Sequence, residues 1–227
     1  MKTLLIFSGG MDSATLLWKL YSDGYDVETI TFDYGQRHRQ EIEYAQKMIK
    51  FMKEDPDLGI DIRHDIVDVR SVFKYIDSSA LTNPDIEVPE CGYTDESAKI
   101  TVVPNRNQIL LSIAVGIAAA RGIDSVMYAA HSGDHSLYPD CRPEFLESLN
   151  ETTRISTLWH PVRIEAPFIH LTKGDIVKIG LELGVPYEYT RSCYNAGQSC
   201  GVCPTCIERM EAFTINGMTD PIMYLPH

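Results

Sequence analysis

Apolar and polar positions alternate between two periods along the chain, and the switches mark its elements. Residues 2–7 form an apolar run that predicts a short buried strand, and 12–20 follow as a helix with an acidic first turn. Residues 27–32 predict a second strand. A helix over 36–52 comes next, because Ile42, Ala45, Ile49 and Met52 fall on one helical face. Residues 60–69 alternate as a third strand. The segment 77–99, with Pro84, Pro89 and Gly92, has little periodicity and predicts a long loop, which in a compact domain is often functional.

Residues 105–120 are apolar nearly all round, which predicts a helix deep in the core, and 125–129, after Gly122, predict a fourth strand. Tyr138-Pro-Asp140-Cys141-Arg142 opens a further helix, with Asp140 near its N-terminus as a cap. Thr172-Lys-Gly-Asp175 resembles a capping box with Asp in place of Glu or Gln. The helix it opens carries Ile176, Ile179 and Leu183 on one face and stops at Gly184 and Pro186. Repeated strand-helix units imply a parallel sheet covered on both faces. From Thr190 the composition turns to Cys, Gly, Ser and Asn, so the chain divides into an α/β domain, 1–189, and a C-terminal segment, 190–227, packed on it.

With 227 residues, the chain is long enough for one sizeable core. The apolar stretch 109–120 ends at Arg121, short of the ~20 residues a membrane span needs. Residues 1–7 begin like a signal peptide, but Ser8-Gly9-Gly10 and Asp12 interrupt it, so a cytoplasmic protein without a membrane anchor is expected. Lys and Arg number 20 against 32 Asp and Glu, a formal charge of −12 that disfavours a nucleic-acid partner and makes a small substrate the better expectation.

Ser8-Gly9-Gly10-Met11-Asp12-Ser13 between a strand and a helix reads as an anion site. The glycines let backbone N–H groups turn toward a phosphate, Ser8 and Ser13 add hydroxyls, and the helix dipole favours negative charge. The Gly-Lys-Ser/Thr of a Walker A loop is missing. Asp12 would repel a phosphate unless it met a cation, which points to Mg²⁺-bound pyrophosphate. The plainer reading is an ordinary helix start with a Gly-Gly turn.

Cys193, Cys200, Cys203 and Cys206 supply the four thiolates that close a tetrahedral zinc shell, leaving no open position, so the expected metal is structural, one ion per chain. Buried free thiols and a redox Cys-x-x-Cys are the alternatives. A nucleic-acid zinc ribbon is a third, but residues 197–206 contain no Lys or Arg. His131-Ser-Gly-Asp134-His135 has the look of a metal cluster, though such a loop more often bonds water and backbone. Asp140 and Arg142 read either as helix-start residues or as groups presented to a polar heterocycle, and Arg106 either as a structural ion pair or as a phosphate clamp.

Taken together, Ser8-Gly-Gly-Met-Asp-Ser13, Phe32-Asp-Tyr-Gly-Gln-Arg-His38, Val103-Pro-Asn-Arg-Asn107, Tyr138-Pro-Asp-Cys-Arg142, Ser192-Cys-Tyr194, the cysteine set and Asp220-Pro221 resemble the 7-cyano-7-deazaguanine synthase family of the queuosine pathway, among the N-type ATP pyrophosphatases. The resemblance implies an α/β fold, a doubly wound parallel sheet of the adenine-nucleotide α-hydrolase (Rossmann-like) type with a small C-terminal zinc-binding subdomain. It implies that ATP, with Mg²⁺, adenylates the carboxylate of 7-carboxy-7-deazaguanine, that ammonia gives an amide, and that a second ATP carries the amide to the nitrile. By the same resemblance residues 8–13 with Asp33 and Tyr34 hold the nucleotide. Asp12, Ser13 and Arg106 serve catalysis, and Asp134, Tyr138, Asp140 and Arg142 bind the deazaguanine. Members are often homodimers. This chain departs from the family at Asn105 and Leu137, where Gly is common, and at Ala129. The departures admit a branch that couples the adenylated acid to another amine, such as a protein N-terminus. Other readings are a tRNA-modifying ATP pyrophosphatase, against which the acidic balance argues, and a non-catalytic adenine-nucleotide-binding module, which would lack the loop at 8–13.

Overall fold

The computed structural model describes residues 1–88, 99–134 and 138–226; Pro89, Cys91, Gly92, His135 and Leu137 lie outside them. Five strands, β1 (Lys2–Ile6), β2 (Asp26–Asp33), β3 (His64–Asp68), β4 (Ser125–Met127) and β5 (Arg163–Glu165), form one sheet in the order β3-β2-β1-β4-β5. Every pairing is parallel. Adjacent residues of β1 face opposite sides, as the pleat requires, and both are fully buried, which explains why this strand reads as a continuous apolar run.

Leu5 packs with α1 (Met11–Ser22), α2 (Gln40–Glu54) and α5 (Lys173–Glu182), while Leu4 packs with α3 (Arg106–Arg121) and α4 (Pro143–Ser156). The doubly wound parallel sheet expected from the strand-helix alternation is therefore the fold. Its strand order reverses beside β1, and the crevice beyond the carboxyl ends of β1 and β4 is where such sheets bind ligands.

Several elements differ from the sequence reading for identifiable reasons. The second helix starts at Gln40 rather than at residue 36 because the Gln36 side chain makes its own turn, donating to the Phe32 carbonyl (3.0 Å) and accepting from the Tyr34 N–H (2.9 Å). Helix α3 is not buried all round: Gln108, Ser112, Gly116 and Ala120, four apart, form an exposed stripe of small or polar residues. The third strand is shorter than 60–69. Strand β5 and helix α6 (Pro204–Ile215) were unread, the first being three residues long and the second beginning inside the cysteine cluster. The capping box is present as expected: Thr172 N donates to Asp175 Oδ2 (2.9 Å) and Asp175 N to Thr172 Oγ1 (3.2 Å). Among the described residues, no helix is long and apolar enough to cross a membrane.

Helix α6 is docked by Arg209, which is almost fully buried. Its guanidinium makes a fork to Asp220 (2.7 and 3.0 Å) and also bonds Thr190 Oγ1 (2.6 Å) and the Tyr187 carbonyl (3.0 Å). Tyr187 in turn shares a 2.7 Å hydrogen bond with Thr15 of α1, so the C-terminal segment is tied to the helix that follows β1. Gly180 of α5 makes room for this bond: a Cβ there would lie 1.8 Å from the Tyr187 hydroxyl oxygen. Gly180→Ala should therefore break it and overpack the α1–α5 contact, costing about 2–4 kcal/mol. A denaturant titration showing less than about 1 kcal/mol would refute this account of the packing.

Candidate active site

The turn between β1 and α1 is built from its two glycines. Gly9 has φ +80°, and a Cβ on it would stand 2.5 Å from the Glu41 carbonyl oxygen and 2.6 Å from Ala45 N, so only Gly allows α2 to seat against the turn. Its carbonyl accepts from Arg191 N (3.0 Å). Gly10 occupies the N-cap without a capping side chain, so the unbonded N–H groups of the first turn of α1 are left for a ligand. Ser13 Oγ bonds the Gly10 carbonyl (3.1 Å) and lies 3.1 Å from Ser8 Oγ, which itself accepts from Gly10 N (3.2 Å). Ser13 thus braces the turn from beneath, while Ser8, Gly10, Met11 and Asp12 face a cavity of about 280 Å³.

The rest of the cavity wall comes from the ends of five other elements and from the C-terminal segment. Tyr34 and His38 follow β2, Glu41 lies in the first turn of α2, and Arg106 and Asn107 start α3. His131, Asp134 and Tyr138 follow β4. Lys173 begins α5, and Arg191 and Tyr194 come from the C-terminal segment. Of the residues singled out from sequence, the structure brings Ser8, Gly10, Met11, Asp12, Tyr34, Arg106, Asp134 and Tyr138 together.

Besides Ser13, four others stand back. Asp33 is held by Arg39 (2.7 Å) and accepts from Gly35 N (3.2 Å), fixing the turn that carries Tyr34. Asp140 does cap a helix, but not the one it precedes: its Oδ2 accepts from Asn107 N (3.0 Å) at the start of α3, and α4 has no side-chain cap. Arg142 occupies the N-cap position of α4 and is not among the cavity-lining residues. Gly9 acts through its contact with α2. Asn105, one of the departures from the family, has φ +58°, a conformation Asn tolerates better than other non-Gly residues.

Acidic and basic side chains lie close together in the cavity. Lys173 Nζ lies 3.0 Å from Glu208 and 3.8 Å from Asp12 Oδ2; His131 Nε2 lies 3.5 Å from Asp134 and 3.9 Å from Asp12. Burial raises the Asp134 carboxyl, and the Asp12 and Glu208 carboxylates hold Lys173 protonated against its own burial. Asp12 Oδ1 is buried without a hydrogen-bond partner, which suits a carboxylate that binds a cation. Burial pushes Tyr34 up to about 12, so it stays a neutral hydrogen-bonding phenol. Glu41 lies 3.4 Å from His38 Nε2, and burial pushes its carboxyl up to about 7.

Sequence reasoning overlooked Lys173, Arg191, His38, Glu41 and Glu208 as site residues. Lys173 lay inside the capping box and read only as the start of a helix. His38 was quoted within a motif but given no role, and only tertiary packing brings Arg191 and Glu208 to the cavity.

The four C-terminal sulfurs converge in a second place. All are buried, and the four Sγ atoms lie within 4.8 Å of one another, with Cys193 3.6 Å from Cys200 and 3.9 Å from Cys203. Sulfurs around a single tetrahedral ion at about 2.3 Å would stand roughly 3.8 Å apart, so this set fits one metal ion. Backbone N–H groups of Asn195 and Cys200 point at Cys193 Sγ (both 3.4 Å) and that of Cys203 at Cys200 Sγ (3.3 Å), which favours thiolates. None of the four is in a disulfide. Among the described residues, no other group of His, Cys, Asp and Glu is arranged to hold a metal.

Comparison with known proteins bears on both places. A family model described as queuosine biosynthesis protein QueC matches residues 2–217. The 7-cyano-7-deazaguanine synthase of Archaeoglobus fulgidus is 48% identical over 224 residues, covering 98% of this chain and 90% of the relative. That of Marinobacter nauticus is 46% identical over 222 residues, 97% and 96% of the two chains. Among solved structures, a 4-thiouridine synthetase–RNA complex with bound ATP aligns with TM-score 0.52 at 20% identity, over 94% of this chain and 53% of that one. NMN synthetase from Francisella tularensis aligns with TM-score 0.50 at 13% identity, over 96% and 77%. At these identities the two structures support the fold alone, which is the Rossmann-like α/β type.

The sulfur geometry predicts one metal ion per chain after purification without chelator. Cys206→Ser should reduce it below about half an equivalent and cost roughly 4 kcal/mol or more of stability, the range reached when a structural metal is lost. Elemental analysis with thermal melting checks both, and a variant that keeps full metal content would refute the four-sulfur site.

Proposed function

This chain belongs to the queuosine biosynthesis protein QueC family, and from that premise we propose that it converts 7-carboxy-7-deazaguanine and ammonia to 7-cyano-7-deazaguanine at the expense of ATP. The observation that carries the reading is a single cavity that joins the anion-binding turn at 8–13 to Tyr34, Arg106, Asp134 and Tyr138. A triphosphate on the turn then lies in the same enclosure as a polar heterocycle bearing a carboxylate.

In this reading the unbonded N–H groups of the first turn of α1 and the Ser8 hydroxyl cradle the departing pyrophosphate, and Lys173 neutralises part of its charge. Asp12, with its orphaned buried oxygen, would hold Mg²⁺, which offsets phosphate charge when bound. The absence of a γ-phosphate lysine motif accords with attack at the α-phosphorus. A carboxylate oxygen of the substrate displaces pyrophosphate there, and Arg106 stabilises the charge that develops between the two anions. Ammonia adds to the acyl carbon of the adenylate and AMP leaves, giving the amide. The amide oxygen attacks a second ATP in the same way, and loss of AMP leaves the nitrile.

Asp134 and Tyr138 face the heterocycle. Asp140 supports them through α3, and Arg142 lies at the far end of the same turn. Asp33 acts through Tyr34, and Ser13 through the turn it braces. The ion in the cysteine cluster is zinc in a structural role, since four thiolates leave no position for substrate. Asn105, exposed and in a left-handed conformation, takes up the backbone role of a Gly without entering the cavity, which favours the nitrile product over coupling to a larger amine.

Incubation with the acid, ATP, Mg²⁺ and ammonium should give a product about 19 Da lighter than the acid, from gain of ammonia and loss of two waters. AMP release without that product would favour the amine-coupling branch, and no AMP or pyrophosphate release would leave only nucleotide binding. Asp12→Asn should lower turnover about 10²-fold with the fold intact. A wild-type rate for that variant across a magnesium titration would show that Asp12 has no part in holding the metal.

A further inference from the structure

Four carboxylates line the cavity. Asp12 and Glu208 face Lys173, while Asp134 and Glu41 each have a histidine, His131 and His38, as the nearest basic side chain. Glu41 is also placed against the anion-binding turn. Its side chain is 14% exposed, and its backbone carbonyl is the surface on which Gly9 rests, so it lies beside the anion-binding turn. Among the described residues, no Lys or Arg stands within ion-pair distance of it. Its Oε1 accepts from Gln36 Nε2 (2.8 Å), and its Oε2 lies 3.4 Å from His38 Nε2.

A carboxylate set next to a phosphate site without a cation costs stability unless the ligand supplies what it lacks. His38 carries the same signature: it is nine-tenths buried, lines the cavity, sits between the rings of Tyr34 and Tyr194, and its Nδ1 has no partner. The proposed substrates include one that fits such a pair, a small nitrogen nucleophile that must shed protons.

We propose that Glu41 is the catalytic base that takes protons from nitrogen in the amide-forming and nitrile-forming steps, with Gln36 and His38 positioning its carboxylate. The inference rests on the synthase reading given above. In the first step the ammonia lone pair forms the C–N bond to the adenylate, Glu41 removes a proton from the resulting ammonium, and the C–O bond to AMP breaks with AMP taking the electron pair. In the second, the amide oxygen bonds the α-phosphorus of ATP and pyrophosphate leaves. Glu41 takes one N–H proton, the C–O bond breaks as the C≡N bond forms, and the second proton leaves with the AMP phosphate. Between steps Glu41 returns its proton to solvent.

The groups that face Glu41 are Gln36, Tyr34 and His38 from the segment after β2 and Arg106 from α3, while Arg191 from the C-terminal segment acts on His38. Burial dominates over the lowering effects of the Gln36 hydrogen bond and Arg106, placing the group at about 7. A base tuned there is half-ionised near neutrality.

Glu41→Gln, in the full chain, tests this with two activity readouts. Exchange of labelled pyrophosphate into ATP, dependent on the acid and run without ammonia, reports adenylation. Single-turnover formation of amide and nitrile from pH 5.5 to 9 reports the nitrogen steps. The expected result is that exchange persists in E41Q while amide and nitrile formation fall about 10²-fold or more, and the acidic limb near pH 7 seen in the wild type disappears. Glu41→Asp should regain part of the rate and keep an acidic limb, and it replaces E41Q if that variant does not fold.

A third readout needs no turnover. The folded wild type holds the Glu41 proton more tightly than the unfolded chain between about pH 4.5 and 7, so its stability falls as pH rises through that window, and the melting-temperature advantage of E41Q should grow from pH 5 to 8. Wild-type amide formation in E41Q, a retained acidic limb, parallel loss of exchange and amide formation, or a flat melting-temperature difference would each overturn the proposal. Absence of acid-dependent exchange in the wild type would instead overturn the synthase reading, and this base with it.

Discussion

The contact on which the site depends is the seating of Gly9 against the first turns of α2. In a parallel sheet the ligand crevice lies where neighbouring connections leave in opposite directions, so the turn after the central strand must carry the anion site and cannot be displaced by the helices around it. At Gly9 the Glu41 carbonyl and the Ala45 amide approach closely enough that no side chain fits, and the Arg191 N–H reaches the Gly9 carbonyl from the other side. One residue thus registers β1, α2 and the C-terminal segment against one another. The closeness that positions Glu41 beside the turn is the closeness that forbids a Cβ.

The second constraint is electrostatic. A cavity meant for polyphosphate should be cationic, yet this one holds four carboxylates within a chain of net charge −12. The conflict is resolved locally: Lys173 is shared by Asp12 and Glu208, and His131 and His38 lie against Asp134 and Glu41. Glu208 holds Lys173 at 3.0 Å, whereas Asp12 stands at the edge of ion-pair range, 3.8 Å, so on that side Lys173 is available to an arriving anion. Groups that bind one another loosely in the free protein can bind the ligand without a large reorganisation.

What was legible in the sequence was local. The Gly-Gly turn, the Thr172–Asp175 capping box, the two-sided burial of β1 and the clustering of four cysteines each follow from residues within a few positions of one another. Features that failed to show depend on distant partners. Asp140 was readable as a cap, but the N–H it caps lies 33 residues upstream and meets it only in the fold. The small residues Ser112, Gly116 and Ala120 counted toward an apolar helix although they face water, because size and burial are separable at positions that need only be small. Lys173 and Glu41 looked like ordinary polar residues of helix first turns. Their burial is a property of where those helices end, which no periodicity encodes.

The same reasoning explains why the cysteine cluster belongs to the site although it is chemically closed. Ser192 and Tyr194 flank Cys193, Thr205 precedes Cys206, and all three line the cavity, while Thr205 Oγ1 bonds the Ser192 carbonyl at 2.7 Å. This part of the wall has little regular structure before α6: its order comes from the sulfur cluster, from the Arg209–Asp220 fork, and from the bond between Arg191 N and Gly9. A short irregular segment has few backbone hydrogen bonds to offset its conformational entropy, so a covalent-strength node at its centre is an effective way to hold it rigid. An ion bound there would act through geometry, by keeping Arg191 and Tyr194 at the distance from the turn that the cavity requires.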